Sequence, residues 1–87
     1  MPGFVYILED DQHRYYIGSS EDIRKRYNAH LKGEVYTSRR MKNVKIALQQ
    51  EYPTIQIAKK IELKLKKLKR RDYITKIIQD GYIKMKI

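Results

Sequence analysis

The chain has 87 residues, which is enough for one small domain, and we expect residues 1–87 to form it. It contains no cysteine, which excludes disulfides and thiolate metal sites. Its net charge of +10 favours a polyanionic partner, with nucleic acid ahead of an acidic protein or an anionic membrane surface.

The first predicted elements are the two strands of a β-hairpin. The apolar run "FVYIL" at 4–8 is typical of a strand buried on both faces, and "RYYIG" at 14–18 follows it after a polar turn. If the turn is centred on Asp11, Tyr6 lies directly opposite Tyr16, and the two phenols project from the same face of the sheet. The other face would be filled by Val5, Ile7, Tyr15 and Ile17.

A helix is predicted after the hairpin, within the segment at 19–33. Ser19 and Ser20 are candidate N-caps, because a serine oxygen can accept the free amide protons of a first helical turn. The helix is expected to run to about Lys32, and Gly33 is a natural stop. At about 100° per residue, its buried stripe would comprise Ile23, Tyr27 and Leu31.

Arg26 and His30 lie on the border of that stripe as an i, i+4 pair. A half-buried guanidinium needs an anion, and either a carboxylate or a phosphate would serve. Taken alone, an arginine on a helix flank more often belongs to a structural ion pair, and a single histidine more often packs or caps. These residues by themselves indicate a polar cluster near the hairpin and do not assign its function.

The second half of the chain is predicted to add one strand and two helices. The strand covers 44–52 and ends before a proline, which donates no ladder hydrogen bond. Thr54 can cap a helix over 55–70, and Asp72 can cap a last helix that stops at Gly81. The apolar stripes of these helices are Ile57, Ala58, Ile61, Leu65 and Leu68 in the first, and Ile74, Ile77 and Ile78 in the second.

The predicted order is therefore β-β-α-β-α-α. We expect an α/β fold, more specifically α+β, with a small three-stranded sheet flanked by helices. No apolar run approaches the roughly 20 residues of a membrane span, and no secretory signal is visible. We therefore expect a cytoplasmic protein, by default a monomer, with no membrane partner. The basic amphipathic helix at 55–70 leaves a rival hypothesis open, in which it docks on an acidic partner or a membrane surface.

The order of these motifs resembles the GIY-YIG nuclease domain over about residues 4–80. "FVY" at 4–6 is similar to the first signature tripeptide, with its tyrosine kept, and "YIG" at 16–18 matches the second without change. The segment "SSEDIRKRYNAH" at 19–30 resembles the helix signature of the family, in which an acidic and an apolar residue precede an arginine. The resemblance thus carries Tyr6, Tyr16, Arg26 and His30 over to the family site.

Two later segments resemble the small stand-alone members of that family, which are related to the nuclease domain of the UvrC excision-repair protein. These segments are "YTSRR" at 36–40 and "IELKLKKLKRR" at 61–71, and the second places the family glutamate at Glu62. The chain departs from the family pattern in the first tripeptide, where Phe4 stands in place of the glycine.

The resemblance implies metal-dependent hydrolysis of DNA phosphodiester bonds, in DNA repair or recombination. Glu62 would bind one divalent ion, Mg²⁺ or Mn²⁺, and Arg26 would hold the scissile phosphate. Tyr6 or Tyr16 would orient the attacking water or help remove its proton, and an unperturbed phenol, with a pKa of about 10, would need nearby cations for the second task. His30 would assist by hydrogen bonding. The competing interpretation of Glu62 is a salt bridge with neighbouring lysines.

The resemblance also makes DNA the expected partner. Affinity would come from Lys and Arg on this domain, and such contacts position a duplex without reading its sequence. We therefore expect structure-dependent or weakly selective cleavage, or targeting by a protein partner. The alternative is a catalytically inactive nucleic-acid-binding module of the same fold. The expected contact residues are Arg39, Arg40, Lys66, Lys67, Lys69, Arg70 and Arg71.

Overall fold

The computed structural model describes residues 2–33, 42–68 and 70–84. Within these ranges it contains three strands and three helices in the order β-β-α-β-α-α, which confirms the predicted α+β fold. Of the predicted DNA contacts, Arg39, Arg40 and Lys69 lie outside the described residues. The elements are β1 (Gly3–Glu9), β2 (Tyr15–Ser20), α1 (Ile23–Leu31), β3 (Lys45–Tyr52), α2 (Ile55–Leu68) and α3 (Arg71–Asp80).

The strands form an antiparallel sheet with the order β2-β1-β3, so β1 is central and β2 lies at an edge. Tyr6 pairs with Gly18, and Leu8 pairs with Tyr16. The predicted direct opposition of Tyr6 and Tyr16 is therefore wrong by two residues. Because side chains alternate with a period of two, a shift of two residues leaves both phenols on the same face of the sheet, as predicted.

The register differs because a buried carboxylate lengthens the turn. Asp10 is 3 % exposed, and its side chain accepts hydrogen bonds from the backbone N–H of Gln12 at 3.0 Å and of Arg14 at 2.7 Å. Burial tends to raise the pKa of this carboxyl, but these bonds and the charge of Arg14 outweigh burial and lower the pKa. The backbone of Asp10 also closes onto the Arg14 carbonyl at 3.1 Å, so the turn spans residues 10–14 and is not centred on Asp11.

One face of the sheet carries the hydrophobic core. Val5 and Ile7 of β1 pack with Ala58, Ile61 and Leu65 of α2, and none of the five is more than 1 % exposed. Because α2 uses its apolar face inside the protein, that face is not available for docking on a partner or a membrane. Among the described residues, no helix is long and apolar enough to cross a membrane.

The remaining residues of the predicted apolar stripes differ in how deeply they are buried. Ile74 and Ile77 of α3 are each 5 % exposed, and Ile57 and Ile78 are partly buried against the same core. Leu68, the last residue of α2, is 38 % exposed, so the prediction fails at this position.

The start of α1 differs from the prediction. Ser19 and Ser20 continue β2, because they still pair with β1, and neither caps the helix. The N-cap is Asp22, whose side chain accepts a hydrogen bond from the backbone N–H of Lys25 at 3.1 Å. At the other end Gly33 has a φ of 74°, which confirms the predicted stop.

The predicted N-cap of α2 is confirmed, whereas the predicted N-cap of α3 is wrong. Thr54 accepts a hydrogen bond from the backbone N–H of Ile57 at 3.2 Å, as its predicted cap role requires. Asp72 lies inside the first turn of α3 and forms an ion pair with Arg70, which is the N-cap residue. Gly81 ends α3 with a φ of 82°, as predicted.

Candidate active site

Tyr6 is the centre of the candidate site. It projects from the central strand β1 on the face opposite the core, and it is 2 % exposed. The far end of its ring lies over Gly18 on the edge strand, where an added Cβ would come within 2.5 Å of Cζ of Tyr6. Gly18 therefore provides the space through which the Tyr6 hydroxyl approaches the open edge of the sheet.

Two side chains of α1 converge on that hydroxyl. The Tyr6 oxygen lies 3.0 Å from Nε2 of His30 and accepts a hydrogen bond from Nε of Arg26 at 3.3 Å. His30 is 3 % exposed, whereas Leu31, predicted to be buried, is 55 % exposed. The predicted rotation of α1 about its axis is wrong. The helix turns His30 towards the sheet, where the imidazole is hydrogen-bonded to the Tyr6 hydroxyl. Arg26 is exposed rather than half-buried, although it contacts Tyr6.

Tyr16 completes an aromatic cluster with Tyr6 and His30. Its ring centroid is 6.4 Å from that of Tyr6, with the planes 26° apart, and 4.7 Å from that of His30 in an edge-to-face arrangement. Both distances are typical of attractive aromatic pairs. Tyr16 is only partly buried, so it is the phenol of the cluster that meets solvent.

The protonation states of the cluster follow from burial and from one positive charge. Burial raises the pKa of Tyr6, and the hydrogen bond and charge of Arg26 do not offset that rise. The bond to Tyr6 raises the pKa of the guanidinium, whereas burial and the charge of Arg26 lower the pKa of His30. At neutral pH Arg26 is charged, His30 is neutral and Tyr6 is a phenol. Arg26 does lower the pKa of Tyr6, as expected of a nearby cation, but in the free protein burial outweighs this effect.

Glu62 reaches the same region from the opposite face of the sheet. Its Oε1 accepts a hydrogen bond from the Ser19 hydroxyl at 2.5 Å, and its Oε2 lies 2.6 Å from Nζ of Lys66. Since Ser19 follows Gly18 on β2, the carboxylate lies beside the point where the Tyr6 hydroxyl approaches the edge. The charge of Glu62 also contributes to the raised pKa of Tyr6. The expected lysine salt bridge is present, and the carboxylate is also close to the aromatic cluster.

Four of the five predicted site residues form one contact network, and Glu62 is attached to it through residues for which the sequence indicates other roles. Ser19 is predicted as a helix cap, and Lys66 as a DNA contact. The missed signal for Ser19 is strand parity: if β2 extends past the glycine, Ser19 faces α2. Lys66 lies four residues after Glu62 on a helix, so it is the neighbouring lysine on which the predicted salt bridge falls.

The predicted DNA contacts in the described part of the chain lie on the α2 side of this network. Lys66, Arg70 and Arg71 line a cleft of about 330 Å³ beside the network. Arg70 is paired with Asp72 at 3.0 Å, and Arg71 donates a hydrogen bond to a backbone carbonyl of the hairpin turn. Lys67 is exposed on α2.

Comparison with models of protein families identifies the family of the chain. Residues 2–76 match the model of the GIY-YIG catalytic domain. The chain belongs to the GIY-YIG family. Among solved structures, it is similar to the solution NMR structure of a UPF0213 protein from Bacillus halodurans. That protein is 26 % identical, with a TM-score of 0.59, and the match covers 93 % of this chain and 87 % of that one. No curated protein matches the chain.

GIY-YIG proteins are a family of nucleases that generally use a divalent metal. Among the described residues, no group of three or more His, Asp or Glu side chains could hold a metal. Mg²⁺ needs few protein ligands, because it keeps several waters and binds substrate phosphate. Glu62 fits such an ion as a single carboxylate ligand, provided that the Lys66 ammonium leaves Oε2.

Proposed function

We propose that this GIY-YIG protein is a metal-dependent endonuclease that hydrolyses DNA phosphodiester bonds. The proposal is supported above all by the convergence of His30 and Arg26 on the buried hydroxyl of Tyr6, with Tyr16 packed against the same group. A domain of this size has little stability to spare for polar groups buried without purpose. The match to the family over residues 2–76 adds the reaction class.

Arg26 is the residue that we assign to the scissile phosphate. Arg26 is exposed as a residue, so a phosphate can approach it, and Nε of its guanidinium donates a hydrogen bond to the Tyr6 hydroxyl. A guanidinium has five N–H donors, and those that Tyr6 and Tyr16 do not engage can make a two-point contact with phosphate oxygens. A fixed cation of this kind stabilises the charge that develops in the transition state.

Tyr16 is the phenol that we assign to the attacking water. It is partly exposed, whereas Tyr6 is buried and holds Arg26 and His30 in place. His30 assists through its hydrogen bond to Tyr6. Because its imidazole is neutral, it adds no second positive charge beside the guanidinium.

Glu62 is the residue that we assign to a divalent ion, Mg²⁺ or Mn²⁺. When bound, such an ion supplies Lewis-acid activation of the phosphate and stabilises the leaving oxygen. The Ser19 hydroxyl orients the carboxylate by its hydrogen bond to Oε1, and Oε2 is paired with the Lys66 ammonium in the free protein.

DNA binding would come from the basic residues that flank the site. Lys66, Lys67, Arg70 and Arg71 lie on α2 and at the start of α3, and the net charge of the chain is +10. Contacts from such residues to phosphates do not read base sequence. We therefore propose structure-dependent or weakly selective cleavage in DNA repair or recombination, with a protein partner as the alternative source of targeting.

A plasmid-nicking assay tests the proposal. Supercoiled plasmid is incubated with wild type, Arg26→Ala, Glu62→Gln and the control Arg24→Ala, each with Mg²⁺, with Mn²⁺ and with excess chelator. Arg24 is exposed on the same helix and carries the same charge. We expect nicking to fall about 10²-fold or more in the two site variants, and by less than about twofold in the control. Full nicking by Arg26→Ala, or nicking that chelator leaves unchanged, would refute the proposed site.

The second candidate function is an inactive nucleic-acid-binding module. It is favoured by one observation, the occupation of both Glu62 oxygens by Ser19 and Lys66. Under this alternative, fluorescence anisotropy with labelled branched and duplex DNA would reveal salt-sensitive binding, while no divalent ion would produce nicking.

A further inference from the structure

We propose that Lys66 is the resident counter-cation of Glu62, and that its ammonium must leave the carboxylate before a divalent ion can bind there. This inference rests on the proposed metal role of Glu62. It assigns Lys66 a role at the carboxylate itself, as a positioning residue that competes with the metal ion.

The arrangement of charges around Glu62 supports the competition. The Lys66 ammonium lies 2.6 Å from Oε2, a distance at which it occupies the approach of any second cation to that oxygen. The Ser19 hydroxyl occupies one position on Oε1 at 2.5 Å. Two cations that share one carboxylate repel each other at close range. A divalent ion on Glu62 and an ammonium in its present position therefore exclude one another.

The Lys66 side chain also has space to change its conformation, and an alternative position for its ammonium lies nearby. Its side chain is 48 % exposed, compared with 16 % for Glu62, so the lysine is the partner with more space in which to change its conformation. Its ammonium lies 6.0 Å from the centre of the Tyr16 ring, and the residue lines the cleft that Arg70 and Arg71 also line. A phosphate in that cleft would attract the ammonium away from Glu62. Substrate binding would then open the carboxylate to the metal ion.

The ordinary alternative is a surface i, i+4 ion pair with no effect on metal binding. Pairs of this kind contribute little to stability, and many can be removed without consequence. The two interpretations differ in what happens to metal affinity when the ammonium is removed. Competition predicts tighter binding, whereas an incidental pair predicts no change.

Isothermal titration calorimetry with Mn²⁺ alone, without DNA and at fixed ionic strength, distinguishes competition from an incidental ion pair. The proteins are wild type, Lys66→Met, Lys66→Gln, Lys66→Arg, Glu62→Gln and the control Lys60→Met. Lys60 is exposed on the same helix, about 200° around the axis from Glu62, and its removal changes the net charge equally. We expect Lys66→Met and Lys66→Gln to bind Mn²⁺ about threefold to tenfold more tightly than wild type.

The controls define the result. Lys60→Met should stay within about twofold of wild type, and Lys66→Arg, which keeps the charge, should bind no more tightly than wild type. Equal or weaker binding by both neutral Lys66 variants, alongside loss of binding in Glu62→Gln, would overturn the inference and leave the proposed metal site standing. Absence of Mn²⁺ binding in wild type and in both neutral variants would overturn the inference together with the metal role of Glu62.

Discussion

Replacing Gly18 with alanine should destabilise the protein only because of Tyr6. Gly18 is not among the glycines with positive φ, so its backbone conformation suits any residue. An added Cβ would lie 2.5 Å from Cζ of Tyr6, whereas carbon atoms in contact are normally about 3.5–4.0 Å apart. The ring, or the edge strand, must therefore move by about 1 Å.

That movement has a calculable cost. Overpacking of a tight site costs about 1–3 kcal/mol. A displacement of about 1 Å would also break the 3.0 Å hydrogen bond between Tyr6 and His30, which adds about 1 kcal/mol. Against this, alanine restricts the unfolded chain and stabilises the protein by about 0.4–1 kcal/mol. We expect Gly18→Ala to cost about 1–3.5 kcal/mol in total.

The same substitution should have the opposite sign when Tyr6 is leucine. The three atoms that the new Cβ would meet are Oη, Cζ and Cε2 of Tyr6, and leucine has none of them. In that background Gly18→Ala should stabilise by about 0.4–1 kcal/mol. Urea denaturation of wild type, both single variants and the double variant measures the coupling. An equal cost of Gly18→Ala in both backgrounds would show that close approach to Tyr6 is not the reason for the glycine.

Three further predictions concern the cluster and the charge. Tyr6→Phe should cost about 1–3 kcal/mol in urea denaturation, because it removes the hydroxyl that is hydrogen-bonded to Nε2 of the buried His30, whereas Tyr82→Phe, exposed on the surface, should cost almost nothing. The pKa of His30 is lowered from 6.5 in the folded state, so as the pH falls the unfolded chain binds a proton at a higher pH than the folded protein does. The stability should therefore fall as the pH drops below about 6.5 and level off below the folded pKa. In His30→Gln this part of the pH dependence should vanish. DNA affinity, measured by anisotropy, should fall steeply between about 50 and 200 mM salt, and Arg71→Glu should weaken it and reduce the salt slope; an unchanged slope would remove Arg71 from the interface.

The parts of this site that the sequence predicts are those governed by periodicity. The alternation along "FVYIL" and "RYYIG" places Tyr6 and Tyr16 on one face, and a two-residue error in register does not change this. The helical stripe of α2 likewise predicts which side of the helix is buried. Periodicity tolerates small errors in register, because a shift by one whole period restores the same face.

The parts that the sequence did not predict depend on single polar contacts between distant segments. The buried Asp10 sets the length of the turn, and the hydroxyl of Tyr6 decides that His30 rather than Leu31 faces the sheet. A local rule places leucine inside and histidine at the border, since it cannot include a partner 24 residues away. The attachment of Glu62 to Ser19, 43 residues apart, escapes local rules for the same reason.

The position of β2 at the edge of the sheet explains how groups from both faces can serve one site. Tyr6 and α1 lie on one face, α2 lies on the other, and in the interior of a sheet a strand would separate them. Two adjacent residues of β2 solve this problem: Gly18 lets the Tyr6 hydroxyl approach the edge on one face, and Ser19 binds Glu62 on the other. In the proposed site, a phosphate bound by Arg26 and by a divalent ion on Glu62 would then lie against the open side of β2. Among the described residues, no strand pairs with that side of β2.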